Sequence, residues 1–193
     1  MALSADTLAE LRDELGECHR CPLGDTRTTL VFGHGNPEAR VMLVGEAPGR
    51  NEDLTGQPFV GAAGKLLDEL LGHAGLVRED VYIANILKCR PPKNRDPKPV
   101  EVQTCTPFLR AQMRLVDPEL VMTLGNFATR FMLDTREGIT TLRGQVIPVD
   151  GRNVYPVFHP AASIYDRKKR ETLISDFAQV PEILDSLKGR DAG

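Results

Sequence analysis

No stretch of this chain approaches the ~20 consecutive apolar residues that cross a bilayer as a helix. Its start, Met1-Ala-Leu-Ser-Ala-Asp-Thr7, lacks the basic head and apolar run of a secretory signal. A soluble, cytoplasmic protein is expected, with no membrane among its partners. Cysteine is scarce: there are four in 193 residues, and a chain of that length can build a real core, so a disulfide scaffold is not expected. Aromatic residues make up only 5 %, and the net charge of −3 gives no basic field to draw in nucleic acid. Internal repeats and low-complexity segments are missing too. The apolar fraction of 41 % is that of a globular protein, which excludes disorder and fibres. The length suits one domain spanning 1–193.

What charge there is lies unevenly. Between Lys88 and Lys98 five bases (Lys88, Arg90, Lys93, Arg95, Lys98) accompany a single acid, Asp96. Arg167-Lys-Lys-Arg170 is a second basic cluster. Each run alone reads as a solvated loop; brought to one face, both would meet phosphates.

The cysteines are more specific. Cys18-His-Arg-Cys21 has the C-x2-C spacing with which two thiolates grip one metal centre. Cys89 and Cys105, 16 positions apart, would complete a set of four. A thioredoxin-like pair leaves these two unexplained, and haem attachment fails because Pro22 follows Cys21. The spacing fits structural zinc and an iron–sulfur cluster equally well. Two buried cysteines beside an accidental pair would explain less of the pattern.

Apolar periodicity supplies the fold class. Ser4–Leu15 reads as an amphipathic helix capped by Ser4 and stopped by Gly16. Arg40–Val44, Val81–Leu87 and Leu120–Leu124 are short apolar runs typical of buried strands. Helical stripes cover Gly64–Ala74, Val100–Val116 and Asn126–Leu133. Arg90–Pro99, with four prolines, is neither helix nor central strand. Gln145–Val149 and Val154–Phe158 are strands joined by an Asp150-Gly151 turn. A terminal helix starts at Asp166 and breaks or kinks at Pro181. Strands alternating with helices imply an α/β fold with a mostly parallel sheet.

In such sheets ligands bind beyond the carboxyl ends of the strands. Three polar signals fall there: Gly45-Glu-Ala-Pro-Gly49, Asn85, and His159-Pro160. The Gly45–Gly49 loop has neither the Walker lysine nor the G-x-G-x-x-G spacing, and alone it is a strand-ending turn. Asn85 in an apolar run either satisfies a sheet carbonyl or offers a ligand a donor and an acceptor side by side. Phe59, between glycines, packs inward or stacks on a flat ligand, and a lone histidine most often only caps a turn.

Taken in order, Gly45-Glu-Ala-Pro-Gly49, Glu52-Asp53, Thr55-Gly-Gln-Pro-Phe-Val-Gly61, Asn85-Ile-Leu-Lys-Cys-Arg-Pro-Pro-Lys-Asn-Arg95 and His159-Pro160, with the four cysteines, closely resemble the family 4 uracil-DNA glycosylases. The match runs from Cys18 to about Tyr165. The resemblance implies a three-layer α/β/α sandwich and a [4Fe-4S] cluster held by Cys18, Cys21, Cys89 and Cys105. On this basis residues 1–24 form an N-terminal helix and the first cluster-ligand pair. The cluster would be structural, pinning the basic loop Arg90–Pro99 to the N-terminal helix.

The implied reaction is monofunctional: hydrolysis of the N-glycosidic bond of a flipped-out deoxyuridine in single- or double-stranded DNA, by a monomer, as the first step of base excision repair. By this resemblance Phe59 stacks on uracil, Asn85 reads its imide edge, and the Glu46–Ala47 backbone lines the pocket. His159 aims a donor at O2, where charge develops as the bond breaks. Family 1 enzymes carry aspartate where Ala47 stands, so Glu52 or Glu46 is expected to orient water or steady the sugar cation. Arg90, Lys93, Arg95 and Arg167 are expected to meet the DNA backbone, and Ile164 to wedge into the vacated stack. Two other readings remain open. One is the related group that traps DNA covalently through a histidine, although Cys89–Cys105 contains none and position 47 is Ala. The other is a non-catalytic iron–sulfur or zinc module of a repair or polymerase assembly.

Overall fold

A computed structural model describes residues 3–188. Residues 1, 2 and 189–193 of the expected 1–193 domain lie outside the described residues. Six strands, β1 (His34–Gly35), β2 (Val41–Gly45), β3 (Val81–Asn85), β4 (Leu120–Leu124), β5 (Ile147–Val149) and β6 (Arg152–Val157), form one sheet in the order β1-β3-β2-β4-β6-β5. β3, β2, β4 and β6 run parallel, and the short edge strands β1 and β5 are antiparallel. Every residue of β2, β3 and β4 is buried, as a parallel sheet covered on both faces requires.

The helices are α1 (Leu8–Leu15), α2 (Arg50–Thr55), α3 (Ala62–His73), α4 (Pro99–Val116), α5 (Asn126–Leu133), α6 (Ile139–Leu142), α7 (Arg167–Ala178) and α8 (Val180–Lys188). Leu67, Leu70 and Leu71 of α3 pack with Leu173 and Phe177 of α7 and Leu184 of α8 against Leu43, Ile83 and Met122. On the other face, Leu109 and Met113 of α4 and Ala128 of α5 cover Met42, Val44, Ala84 and Val121. α1 docks on the outside of α4 through Leu11, Leu15 and Phe108. The result is the expected three-layer α/β/α sandwich.

Several local expectations shift. The first helix is capped by Thr7, not Ser4: its Oγ1 accepts from Glu10 N at 3.1 Å, and Glu10 Oε2 accepts from Asp6 N at 2.8 Å. The reciprocal pair satisfies two amides that Ser4, one turn earlier, would leave free. β3 ends at Asn85 rather than Leu87, yet Ile86 N and Leu87 N still bond Gly45 O and Glu46 O at 2.9 and 3.0 Å. The C-terminal helix divides at Gln179, two residues ahead of Pro181, because proline is accommodated in the first turn of a new helix. β1, α2 and α6 are too short to leave a periodic signature. Among the described residues no helix is long and apolar enough to cross a membrane.

Candidate active site

The sheet reverses direction of progress between β2 and β4: the chain goes from β2 outward to β3, then returns to place β4 on β2's other side. Loops leaving β2, β3 and β6 border a crevice beyond the carboxyl ends of the strands, the usual ligand site of such sheets. The crevice has a volume of about 360 Å3 and is lined by Glu46, Ala47, Glu52, Phe59, Asn85 and His159, together with Pro91, Asn94 and Arg95 of the basic loop. Residues from opposite ends of the chain thus share one cleft.

Close backbone approach makes the arrangement possible. At Gly45 a Cβ would collide with Asn85 Oδ1 and come within 2.9 Å of Phe59 Cζ. At Gly125, with φ +92°, a Cβ would lie 2.8 Å from His159 Cβ. Phe59 itself sits in the left-handed region at φ 53°, a conformation that costs free energy and persists only when held from outside. Arg78 Nη1 and Nη2 donate to Pro58 O and Phe59 O at 3.0 and 2.6 Å, and Arg78 Nε is anchored on Asp68 at 2.8 Å. From the other side Glu52 Oε1 accepts from Val60 N and Gly61 N at 2.9 and 3.1 Å. The Phe59 ring stacks toward His159 with centroids 5.7 Å apart and planes inclined by 29°.

Asn85 is buried, and among the described residues its Oδ1 has no hydrogen-bond partner. A buried acceptor left unpaired costs free energy, so it is a place where a ligand's N–H is favoured. His159 Nδ1 accepts from Ala161 N at 3.1 Å, which places the ring proton on Nε2. Burial pushes the imidazole down to about 4, opposed by the nearby Glu52 carboxylate, so near neutral pH the ring is an uncharged donor. Burial, aided by Asp96, raises the Glu46 carboxyl above the usual range.

The thiols converge behind this cleft. Cys18 and Cys21 follow α1, Cys89 follows β3, and Cys105 lies on α4. Arg27 Nη1 donates to Cys18 O at 2.6 Å and lies 3.6 Å from Cys89 Sγ; Lys88 N donates to Cys105 Sγ at 3.3 Å. Burial pushes the Cys89 thiol up to about 12, with Cys105 and Cys21 adding to the rise. Cys105 is raised by burial too, with Cys21 and Cys18 as further causes. Cys105 thus lies within electrostatic reach of Cys18, Cys21 and Cys89, and Cys89 within reach of Cys21. Among the described residues no three Cys, His, Asp or Glu side chains are gathered tightly enough to hold one metal ion. A set of four thiols, with Arg27 beside Cys89 and the Lys88 N–H on Cys105, has the donor chemistry of a polynuclear group held by thiolates.

A family model, Uracil DNA glycosylase superfamily, matches residues 32–185. The chain is 45 % identical to the type-4 uracil-DNA glycosylase of Archaeoglobus fulgidus over 92 % of its length and 94 % of the relative's. The type-4 uracil-DNA glycosylases of Sulfurisphaera tokodaii and Saccharolobus solfataricus are 40 % and 42 % identical over 92 % and 94 % of this chain and 85 % and 88 % of theirs. This chain belongs to the uracil-DNA glycosylase superfamily, in its type-4 branch.

Not every residue singled out in this glycosylase sequence is where a phosphate contact would be. Lys88, counted with the basic run, is only 1 % exposed. Arg95 lines the cleft but donates to both Glu101 oxygens, at 2.9 and 2.6 Å, so it braces the loop. Lys93 is exposed, and Arg90 Nε donates to Asn94 Oδ1 at 2.7 Å. Arg167, the first residue of α7, is exposed and pairs with Glu171 at 2.9 Å. Ile164 is partly buried against the α3–α7 core, whereas Tyr165 is 99 % exposed. Arg27, Arg78 and Gln112 give no sign of their roles in the sequence, because isolated polar residues carry no periodic signal. Lys88 does leave one: it directly extends the apolar run Val81–Leu87.

Proposed function

We propose that this chain, as a single glycosylase domain acting as an intracellular monomer, excises uracil from DNA by hydrolysis and leaves an abasic site. The observation that carries the proposal is the meeting, in one base-sized cleft, of an unpartnered buried amide at Asn85, the Phe59 ring and an uncharged His159 donor. A base inside a duplex is out of reach of such a cleft, so the nucleotide is flipped out at a cost of a few kcal/mol. Phe59 receives the face of the ring. Asn85 Oδ1 accepts the uracil N3–H while its amide donates to O4. Cytosine presents an unprotonated N3 and an amine at these positions, so the same amide is left facing the wrong partners.

The C1′–N1 bond breaks with its electron pair moving onto the uracil ring. His159 Nε2–H donates to O2 and stabilises the charge that develops there. Water adds to C1′, and the proton it gives up ends on the departing uracil anion, passed through solvent or a carboxylate of the cleft, which completes the hydrolysis. Glu52 keeps Oε1 on the Phe59 loop, leaving Oε2 to orient that water or offset the sugar's positive charge; Glu46 is the second carboxyl in reach. Cys18, Cys21, Cys89 and Cys105 would hold the [4Fe-4S] cluster, whose contribution when bound is a cross-link between the N-terminal helix and the basic loop. Lys93, with Arg90 and Arg167, meets phosphates on the two rims, and Tyr165 beside Ile164 fills the gap left by the flipped base.

One assay tests this. A uracil-containing oligonucleotide is incubated with the wild-type protein, Asn85→Ala, His159→Ala and Glu52→Gln, and strand scission after alkali is measured. His159→Ala is expected to slow turnover by about a hundredfold or more, the typical effect of one preorganised donor. Glu52→Gln, which keeps the loop's acceptor oxygen, should lower turnover with little change in binding. An inactive wild-type protein carrying its full iron complement would refute the proposal and favour a non-catalytic module.

A further inference from the structure

Lys88 is the largest charged side chain in the interior, and among the described residues it has no acidic partner. Burying an ammonium without a carboxylate is costly, so its other partners must offset that cost. Its Nζ donates to Asn85 O at 2.7 Å and to Gln112 Oε1 at 2.6 Å. Gln112, itself fully buried on α4, donates in turn to Phe32 O at 2.8 Å and Tyr82 OH at 3.1 Å. The chain of bonds starts at the main chain of Asn85 and ends on β3 and the segment before β1. Neither Lys88 nor Gln112 lines the cleft.

Its geometry answers a particular need. Asn85 is the last residue of β3; the ladder to β2 continues past it through Ile86 N and Leu87 N, but β1 pairs only with Tyr82 and Ile83, and the Asn85 carbonyl is held by Lys88 instead. The Asn85 side chain is squeezed against Gly45. Among the described residues no hydrogen bond to Oδ1 fixes the amide, so its reach into the cleft, and with it the alignment that accepts the uracil N3–H, depends on where the Asn85 backbone is held.

We propose that Lys88 and Gln112 are positioning residues that clamp the Asn85 backbone and thereby set the selection of uracil over cytosine. The inference rests on the uracil reading of the cleft given above. Replacement of Lys88 by methionine keeps the volume but leaves Asn85 O and Gln112 Oε1 unpaired. Asn85 then loses its fixed pose, and contacts made equally in ground and transition states weaken, which raises KM more than it lowers kcat.

The experiment compares wild type with Lys88→Met, Gln112→Leu and the double variant. It reads KM and kcat on uracil-DNA, inhibition by free uracil against free cytosine, and visible absorption from iron per protein chain. With absorption unchanged, the single variants should show KM and the uracil inhibition constant rising about tenfold, the size of one buried hydrogen bond. The uracil-to-cytosine inhibition ratio should fall to a similar extent. The double variant should resemble the singles, because both act through one relay. Should Lys88→Met lose its iron, Gln112→Leu, two turns beyond Cys105 on α4, carries the test. Iron-loaded variants that keep both KM and the uracil preference overturn the proposal while leaving uracil excision standing. A wild type that neither excises nor binds uracil overturns the underlying reading instead.

Discussion

At the scale of single residues, this site works by arranging what each group already is. His159 is kept uncharged by burial, and its tautomer is set by one backbone N–H from Ala161. That has a consequence for stability. The folded pKa, about 4, lies below the ordinary 6.5, so between those values the unfolded chain binds a proton that the folded chain refuses. Stability is complete above pH 6.5 and declines as the pH falls toward 4, by at most roughly 3 kcal/mol from this group. Urea unfolding of wild type and His159→Gln at pH 7 and pH 4.5 should show this: the variant loses less stability on acidification. Equal losses would mean that His159 does not titrate as its burial dictates. The sequence points to Asn85, Phe59 and His159 through their places in ordered motifs. It is silent on Arg78 and Glu52 as braces of Phe59, since a clamp is defined by the pair and its two halves are separated in the chain.

At the scale of elements, the cleft is assembled by close approach at strand ends. Gly45 closes β2 where Asn85 closes β3, and the two are paired in register. Gly45→Ala would push Asn85 Oδ1 and the Phe59 ring out of place without touching the helices. Uracil excision should fall at least about tenfold, the effect of losing a buried hydrogen bond, while the thermal midpoint moves by only a few degrees. Near-wild-type excision would show that the contact at Gly45 does not set the site. The basic loop divides its charges between bracing and solvent, with Arg95 held on Glu101 and Lys93 exposed. Lys93→Ala should weaken DNA binding uniformly across sequences and reduce the slope of log affinity against log salt by about one. An unchanged slope would remove Lys93 from the phosphate contacts.

At the scale of the whole molecule, two independent ties bring the N-terminal helix and the basic loop to the body of the sandwich. One is α1 on α4 through Leu11, Leu15 and Phe108. The other would be the proposed cluster, held by thiols from the segment after α1, the segment after β3 and α4. Buried thiols with raised pKa values are poor ligands until a cationic group draws off their protons, so folding and occupancy of this set are linked. Cys105→Ala is expected to lose visible absorption and to unfold several degrees lower. Its sandwich should persist by circular dichroism, because the two helical layers and the sheet are packed without it. Full retention of colour and midpoint would take Cys105 out of the ligand set.

Local chemistry by itself determined the layers of this protein: buried parallel strands announce themselves as apolar runs and helices as stripes. It also determined which loops carry the site, because a polar residue at the end of an apolar run stands where a buried strand stops and a ligand crevice begins. Tertiary structure alone decided the destination of the charges. Lys88 and Arg95 belong to the same basic run as Lys93, yet one is interior, one is paired and one is free. In the same way Ile164 turns inward and Tyr165 outward, although they are neighbours in one short turn. The physical reason is that a side chain's partner is chosen by packing across the fold. Distance along the chain carries no information about Gln112 lying over Lys88, or Glu101 under Arg95, until the sheet and α4 have brought them together.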